Sequence, residues 1–303
     1  MQKEPSGVLI VNKHAGVTSH DIVYKIRRLY GTKRVGHTGT LDPMATGVLV
    51  MLVGRAAKAA EYLVSDSKRY KAGLRLGITT DTEDTTGEVL TESDAIPDED
   101  AVNEACASFV GKIRQIPPMY SALKVGGQKL CDLARRGVTV ERAAREVEIF
   151  ELLVDATDSP SDYTLDVKCS SGTYIRTLCA DIGARLLCGG VMSSLERTET
   201  GGYPISDSVT IAELEEMTEE ERLSRLLPIE SLFESLPKLT LVDFYEKLSR
   251  NGCEIYQKKI KTDFPVGQRI AVYGKNGFYA LGEVREYENG SAIKLIKLFE
   301  LEI

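Results

Sequence analysis

Gly36-His37-Thr38-Gly39-Thr40-Leu41-Asp42-Pro43-Met44-Ala45-Thr46-Gly47-Val48-Leu49-Val50-Met51-Leu52-Val53 is the stretch on which the reading of this chain turns. Its second half is an apolar run that reads as a scaffold strand. Its first half is a tight loop that presents one carboxylate. Gly36, Gly39 and Gly47 permit backbone conformations closed to other residues, and Pro43 biases Asp42 towards extended backbone. A rigid strand that follows a short loop is a common way to display a reactive group. The competing reading is an Asx-turn, in which Asp42 only caps nearby amides. Three glycines, a histidine and three threonines packed around one acid weigh against it.

Working outward, Val8 to Lys13 reads as a short buried strand. Thr18-Ser19 caps a helix with Ile22, Val23, Ile26 and Leu29 at helical spacing, stopped at Gly31. A strand is expected from Tyr70 to Leu76, and a structural, acidic, turn-rich loop at 79–87. A helix follows from Asp98 to Gly111. Residues 116–145 carry Pro117-Pro118, Gly126-Gly127, a short helix from Gln128 to Arg136 and several cations, and read as an excursion from the core. Strands at 147–154 and 163–169, a helix from Thr173 to about Leu187 and extended chain at 191–198 complete a first unit of residues 1–236. Strands and helices mix without strict βαβ alternation, so the fold class is α+β with a mixed, mainly antiparallel sheet. Residues 237–303 change character. Short strands at 270–273, 278–281 and 293–296, split by glycine-rich turns, form a small β-rich unit near the lower size limit for an independent core.

Composition narrows the function. The chain has 303 residues, 43% hydrophobic. The N-terminal stretch has no signal-peptide pattern, and the longest apolar run is too short to span a membrane, so a cytoplasmic protein is expected. Six scattered cysteines without a C-x-x-C pair fit buried thiols in a reducing compartment. Three histidines give no metal-binding spacing, so no metal is expected. The net charge is −7, yet residues 1–75 hold 13 Lys and Arg against 5 Asp and Glu. That asymmetry suggests a basic face on an acidic body, with scattered solvated cations as the competing reading. Lys13, Lys25, Arg28, Lys33, Lys68, Lys71 and Lys124 are candidate contacts for an RNA backbone. Lys25, Arg28, Lys33, Lys68 and Lys71 are expected on the side of Asp42, with residues 81–100 elsewhere.

The 37–49 stretch closely resembles the H-T-G-x-L-D-P-x-A-T-G-x-L signature of the TruB-type tRNA pseudouridine synthases. Three further segments resemble the same family in order: Ser67-Lys68-Arg69-Tyr70-Lys71-Ala72, Gln115 to Lys124, and Ser171-Gly172-Thr173-Tyr174-Ile175-Arg176-Thr177-Leu178. Where the family usually has Lys-Pro after the first strand, this chain has Lys13-His14, a change that bears on loop rigidity rather than on activity. The resemblance implies a pseudouridine-synthase sheet with a PUA-like C-terminal domain, and an RNA-clamping insertion at about 116–145. It implies that uridine 55 of the tRNA T-loop is isomerised to pseudouridine by base flipping, with tRNA as the partner and no cofactor. It makes Asp42 the catalytic residue and Arg176 its ion-pair partner. Tyr70 stacks on the target base, Tyr174 forms the pocket wall, and His37 touches the substrate loop.

On pattern alone, Tyr70 and Tyr174 read as half-buried core aromatics, and Arg176 as a snorkelling surface residue. Arg176 also stands in the first turn of its helix, where the dipole disfavours a cation and calls for an anionic partner. Three roles fit Asp42: attack on the sugar, attack on the base, or proton abstraction. Bacterial-style length without long basic tails favours a stand-alone enzyme over a guide-RNA-dependent one, and a monomer is expected. The alternatives are a guide-RNA-dependent synthase and a non-catalytic RNA-binding or RNA-folding protein.

Overall fold

The computed structural model describes residues 4–63, 67–121 and 123–299. Residues 1–3 of the N-terminal reading, Ala122 of the Gln115–Lys124 segment and the last four residues of the C-terminal unit lie outside the described residues.

The first unit is built on strands β1 (Gly7–Lys13), β2 (Val35–His37), β3 (Thr46–Val53) and β4 (Lys68–Leu76). A side ribbon, β5 (Ile78–Thr80) and β6 (Val89–Glu92), comes next, followed by β7 (Gly111–Gln115). A second ribbon, β8 (Lys124–Val125) and β9 (Gln128–Lys129), precedes β10 (Arg145–Ala156), β11 (Asp162–Cys169), β12 (Gly190–Thr200), β13 (Tyr203–Pro204) and β14 (Val209–Thr210). The main sheet runs β14-β1-β3-β12-β4-β11-β10-β7, with β2 on β3 and β13 on β12. Its pairings are antiparallel except for β1 with β14 and β12 with β3. This is the expected α+β class with a mainly antiparallel sheet.

Strand β3 is apolar on both faces because both faces are covered. Leu49, Met51 and Val53 join the main core, while Val48, Val50 and Leu52 pack with Val8, Ile10 and Ala56 on the other side. Helix α1 (Ser19–Leu29) lies over the main core through Ile22, Val23 and Ile26. Its Thr18 hydroxyl accepts from the Asp21 amide, and the Asp21 carboxylate accepts from the Thr18 amide, a capping box that fixes where the helix begins. It ends where Gly31 takes φ +60°. Helix α2 is Glu99–Ala107, α3 is Leu130–Ala134 and α4 is Ile175–Arg185. The expected 128–136 helix is shorter than its pattern, since Gln128 and Lys129 pair across the β8–β9 ribbon.

The C-terminal unit is a separate five-stranded sheet. Its strands are β15 (Lys238–Thr240), β16 (Ile255–Tyr256), β17 (Arg269–Gly274), β18 (Gly277–Arg285) and β19 (Ala292–Leu298), ordered β15-β17-β18-β19-β16. It joins the first unit through Phe233, Phe278, Leu281 and Phe299, packed together with Ala59. The thiols depart in part from expectation. Four are buried, but Cys131 is partly exposed and Cys253 is exposed.

Candidate active site

The Asp42 loop is held by its carbonyl oxygens. Arg197, on β12 and 1% exposed, donates from Nη2 to Gly39 O (3.2 Å), from Nη1 to Thr40 O (3.4 Å) and from Nε to Val48 O (2.7 Å). Ser19, at the start of α1, donates its hydroxyl to Leu41 O and accepts from Leu41 N. Lys13, fully buried, donates to Pro43 O (3.3 Å) as well as to His14 O and Val17 O, and Gly16 N donates to Pro43 O. Gly47 closes the loop at φ +96°, where a Cβ would stand 2.2 Å from Arg197 O. Only glycine fits so close an approach of two backbones.

The carboxylate itself caps no backbone amide among the described residues, which rejects the Asx-turn reading. Asp42 Oδ2 lies 3.0 Å from Arg176 Nε, and its side chain is 37% exposed against 6% for Arg176. The other guanidinium nitrogens are also committed. Nη1 donates to Thr82 O (3.1 Å) and Nη2 to Tyr120 O (2.7 Å), with Asp84 Oδ2 3.8 Å from Nη1. Arg176 is therefore no snorkelling surface residue. The helix that carries it starts later than its pattern because Gln115 clamps the preceding residue: its side-chain amide donates to Tyr174 O, and its carbonyl accepts from Tyr174 N.

Asp42 opens into a cavity of about 320 Å³ whose wall includes Lys68, Tyr70, Ser121, Tyr174, Arg176 and Leu195. That volume is within the range of small-molecule sites. Asp42 is the only carboxylate in this wall among the described residues. Burial pushes the Tyr70 and Tyr174 phenols above their ordinary pKa, so both present neutral rings. Tyr70 reaches the cavity because β4 alternates: Lys68 and Tyr70 share one face, while Arg69 and Lys71 point to the other.

The structure thus brings Asp42, Tyr70, Tyr174, Arg176 and Lys68 together, and it separates others. Lys13 is not an RNA contact: it is buried, with its ammonium bonded to three carbonyls. Lys71 is exposed but lies on the face of β4 opposite Tyr70, between the acidic cross-strand neighbours Asp166 and Glu196. It belongs to a solvated charge ladder with Arg69–Asp166 and Arg75–Asp162. Arg28 is exposed beside Glu219 and Arg222 at a different cavity. Lys33 and Lys124 face solvent and Lys25 is partly exposed. His37 lines a neighbouring cavity of about 350 Å³ with Thr38, Tyr62 and Arg269 rather than the Asp42 wall. The acidic 81–100 segment does not lie wholly elsewhere, because Thr82 and Asp84 meet Arg176.

Sequence reasoning did not single out Arg197, Asp84, Gln115 or Ser19 for the site. Asp84 bonds its own turn through Thr82 and Thr86, which is all that the local pattern reveals. Of the four, only Gln115 lies in one of the segments that resemble the family, while Ser19 reads as part of a helix cap and Asp84 as part of a structural loop.

Comparison with known proteins gives a consistent result. Residues 27–175 match the TruB family pseudouridylate synthase N-terminal domain, and residues 176–234 match the tRNA pseudouridylate synthase B C-terminal domain. A curated relative from Alkaliphilus oremlandii, named tRNA pseudouridine synthase B, is 42% identical over 98% of this chain and 100% of its own length. Another of that name from Clostridium kluyveri is 41% identical over 97% of this chain and 99% of its own. Among solved structures, an H/ACA RNP bound to a substrate RNA containing 2′-deoxyuridine aligns with TM-score 0.72 at 23% identity, covering 97% of this chain and 85% of that one. An archaeal box H/ACA sRNP Nop10-Cbf5 complex aligns with TM-score 0.69 at 24% identity, covering 98% and 87%. At that identity the structural likeness speaks for the fold alone.

Proposed function

The chain belongs to the TruB family of pseudouridylate synthases, and from that premise we propose that it isomerises uridine 55 of the tRNA T-loop to pseudouridine with Asp42 as the reacting carboxylate. Uridine-to-pseudouridine isomerisation in tRNA is the activity named in its relatives. The reaction keeps every atom. The bond from the sugar to base nitrogen N1 breaks, the base turns, and a bond from the same sugar carbon to C5 forms. C5 loses a proton and N1 gains one. A uridine inside folded RNA is out of reach, so it must be extruded into a pocket. That pocket needs a flat wall to hold the base while it is detached and one group able to attack or to accept a proton. Tyr70 offers the first. The observation that carries the reading is that Asp42 is the sole carboxylate in the cavity wall among the described residues, gripped by Arg176 at 3.0 Å.

Around this centre, His37, Tyr174 and Arg176 are assigned to substrate binding, and Lys25, Lys33, Lys68 and Lys124 to the RNA backbone. Residues 116–145 are assigned as an arm that closes on the RNA. Exposed cations at its tip and a root that reaches the site through Tyr120 and Ser121 support that role. The five-stranded C-terminal unit is assigned as a PUA-like RNA-binding domain. The enzyme is read as a cytoplasmic monomer that needs neither guide RNA nor a protein partner.

The test is to incubate purified protein with an unmodified tRNA transcript, without guide RNA, and to map pseudouridine. Modification at uridine 55 is expected. Asp42→Asn should lower the rate by at least about 10³-fold, roughly 4 kcal/mol on the barrier, with tRNA affinity and melting temperature kept. No product without guide RNA, or an Asp42→Asn rate within about tenfold of wild type, would overturn the assignment.

A further inference from the structure

We propose that Lys68 holds a backbone phosphate of the extruded nucleotide itself, inside the Asp42 cavity; this rests on the pseudouridine-synthase reading above. Lys68 lies in the cavity wall and is partly buried, yet its ammonium has no hydrogen-bond or ion-pair partner among the described residues. A Cβ placed on Gly39 would be 3.6 Å from both Lys68 Nζ and Arg197 Nη1, so the ammonium rests against the Asp42 loop, beside a second cation. Burial and the Arg197 charge both depress its pKa. A cation in that position is costly unless an anion joins it. Among the described residues, the one carboxylate in the same cavity wall, Asp42, is already paired with Arg176.

The substrate brings three chemical parts into this space. Its base has the Tyr70 ring, its reacting centre has Asp42, and its phosphate is the only anionic part. Lys68 and Tyr70 project from the same face of β4, two residues apart, so one strand would hold the base and the phosphate of a single nucleotide. This differs from a surface contact: Lys68 would act after extrusion, on the flipped nucleotide alone.

The experiment is a cycle between protein and RNA. T-arm stem-loops carry one neutral methylphosphonate, placed either 5′ or 3′ of the target uridine. Each is measured against wild type and Lys68→Met for dissociation constant and single-turnover rate, with melting temperature as the folding control. Lys68→Met should weaken binding or slow turnover by about tenfold on all-phosphate RNA, the scale of one lost charge contact. One of the two methylphosphonates should cost wild type a similar factor and cost Lys68→Met almost nothing further. Effects that multiply independently at both positions would overturn the proposal. Lys68→Gln serves as the second variant if the methionine form is unstable. The dissociation constants report the coupling even if the wild-type protein makes no pseudouridine, so failure of the enzyme reading and failure of the Lys68 proposal are distinguishable.

Discussion

Arg176 spends one guanidinium on Asp42, Thr82 O and Tyr120 O, with Asp84 just beyond hydrogen-bond range. A lysine ammonium cannot span these partners, because it lacks the planar fork. Arg176→Lys is therefore expected to lower kcat by at least about tenfold, 1.4 kcal/mol, with a smaller effect on tRNA affinity. Full kcat in that variant would show that the multiple grip is dispensable. Lys13 offers a test through pH. Burial lowers its pKa from 10.5 to about 8, against the opposing pull of Asp42. Between those values the unfolded chain binds a proton that the folded chain does not, so stability rises with pH across that window and is flat below it. Lys13→Met should remove this rise, on the order of 1 kcal/mol after solvent screening. Unfolding in denaturant at pH 7.5 and pH 10 measures it, and an unchanged rise in the variant would contradict the assignment.

Elements whose signals are local were legible. The apolar run gave β3, and the Thr18 cap gave the start of α1. The alternation of β11 gave a half-buried strand, with Tyr163, Leu165 and Val167 inward. The site was legible where its residues sit in dense local motifs, as with Asp42, Tyr70 and Arg176. It was not legible where strand pairing decides. Nothing near Lys13 or Arg197 tells a buried cation from an exposed one, because the contacts that fix them are distant: Pro43 O lies 30 residues from Lys13, and the carbonyls that Arg197 holds lie about 150 residues away. Lys71 could have been rejected by parity, since it cannot share a strand face with Lys68 and Tyr70. The arm is the element for which a change on binding is expected. Its hairpin β8–β9 and helix α3 bury Leu130 and Leu133, while Lys124 and Arg136 face solvent. Amide exchange across 123–137 should slow on adding tRNA, as the arm closes on its substrate. Slow exchange in the free protein, unchanged by tRNA, would remove the clamp from the mechanism.

At the scale of the whole molecule, an acidic chain meets a polyanion, so its cations must act locally. Lys25 and Lys33 come from α1 and the turn after it, whereas Lys71 belongs to the far face of the sheet with its acidic neighbours. Replacing Lys25 and Lys33 by Gln should flatten the slope of log affinity against log salt by up to about 0.9 per lost phosphate contact. Lys71→Gln should leave that slope unchanged. Equal slopes in all three proteins would remove this basic face from RNA binding. The cradle around Asp42 has a further meaning for the chain as it is made. Asp42 emerges early, but the guanidinium that pins Gly39 and Thr40 belongs to residue 197, and the one that grips the carboxylate belongs to residue 176. A truncated or stalled translation product that stops short of them carries Asp42 without the two guanidinium groups that position it. On the proposed reading, fragments that end before residue 197 are expected to make no pseudouridine, because two of the parts that position Asp42 are not yet present.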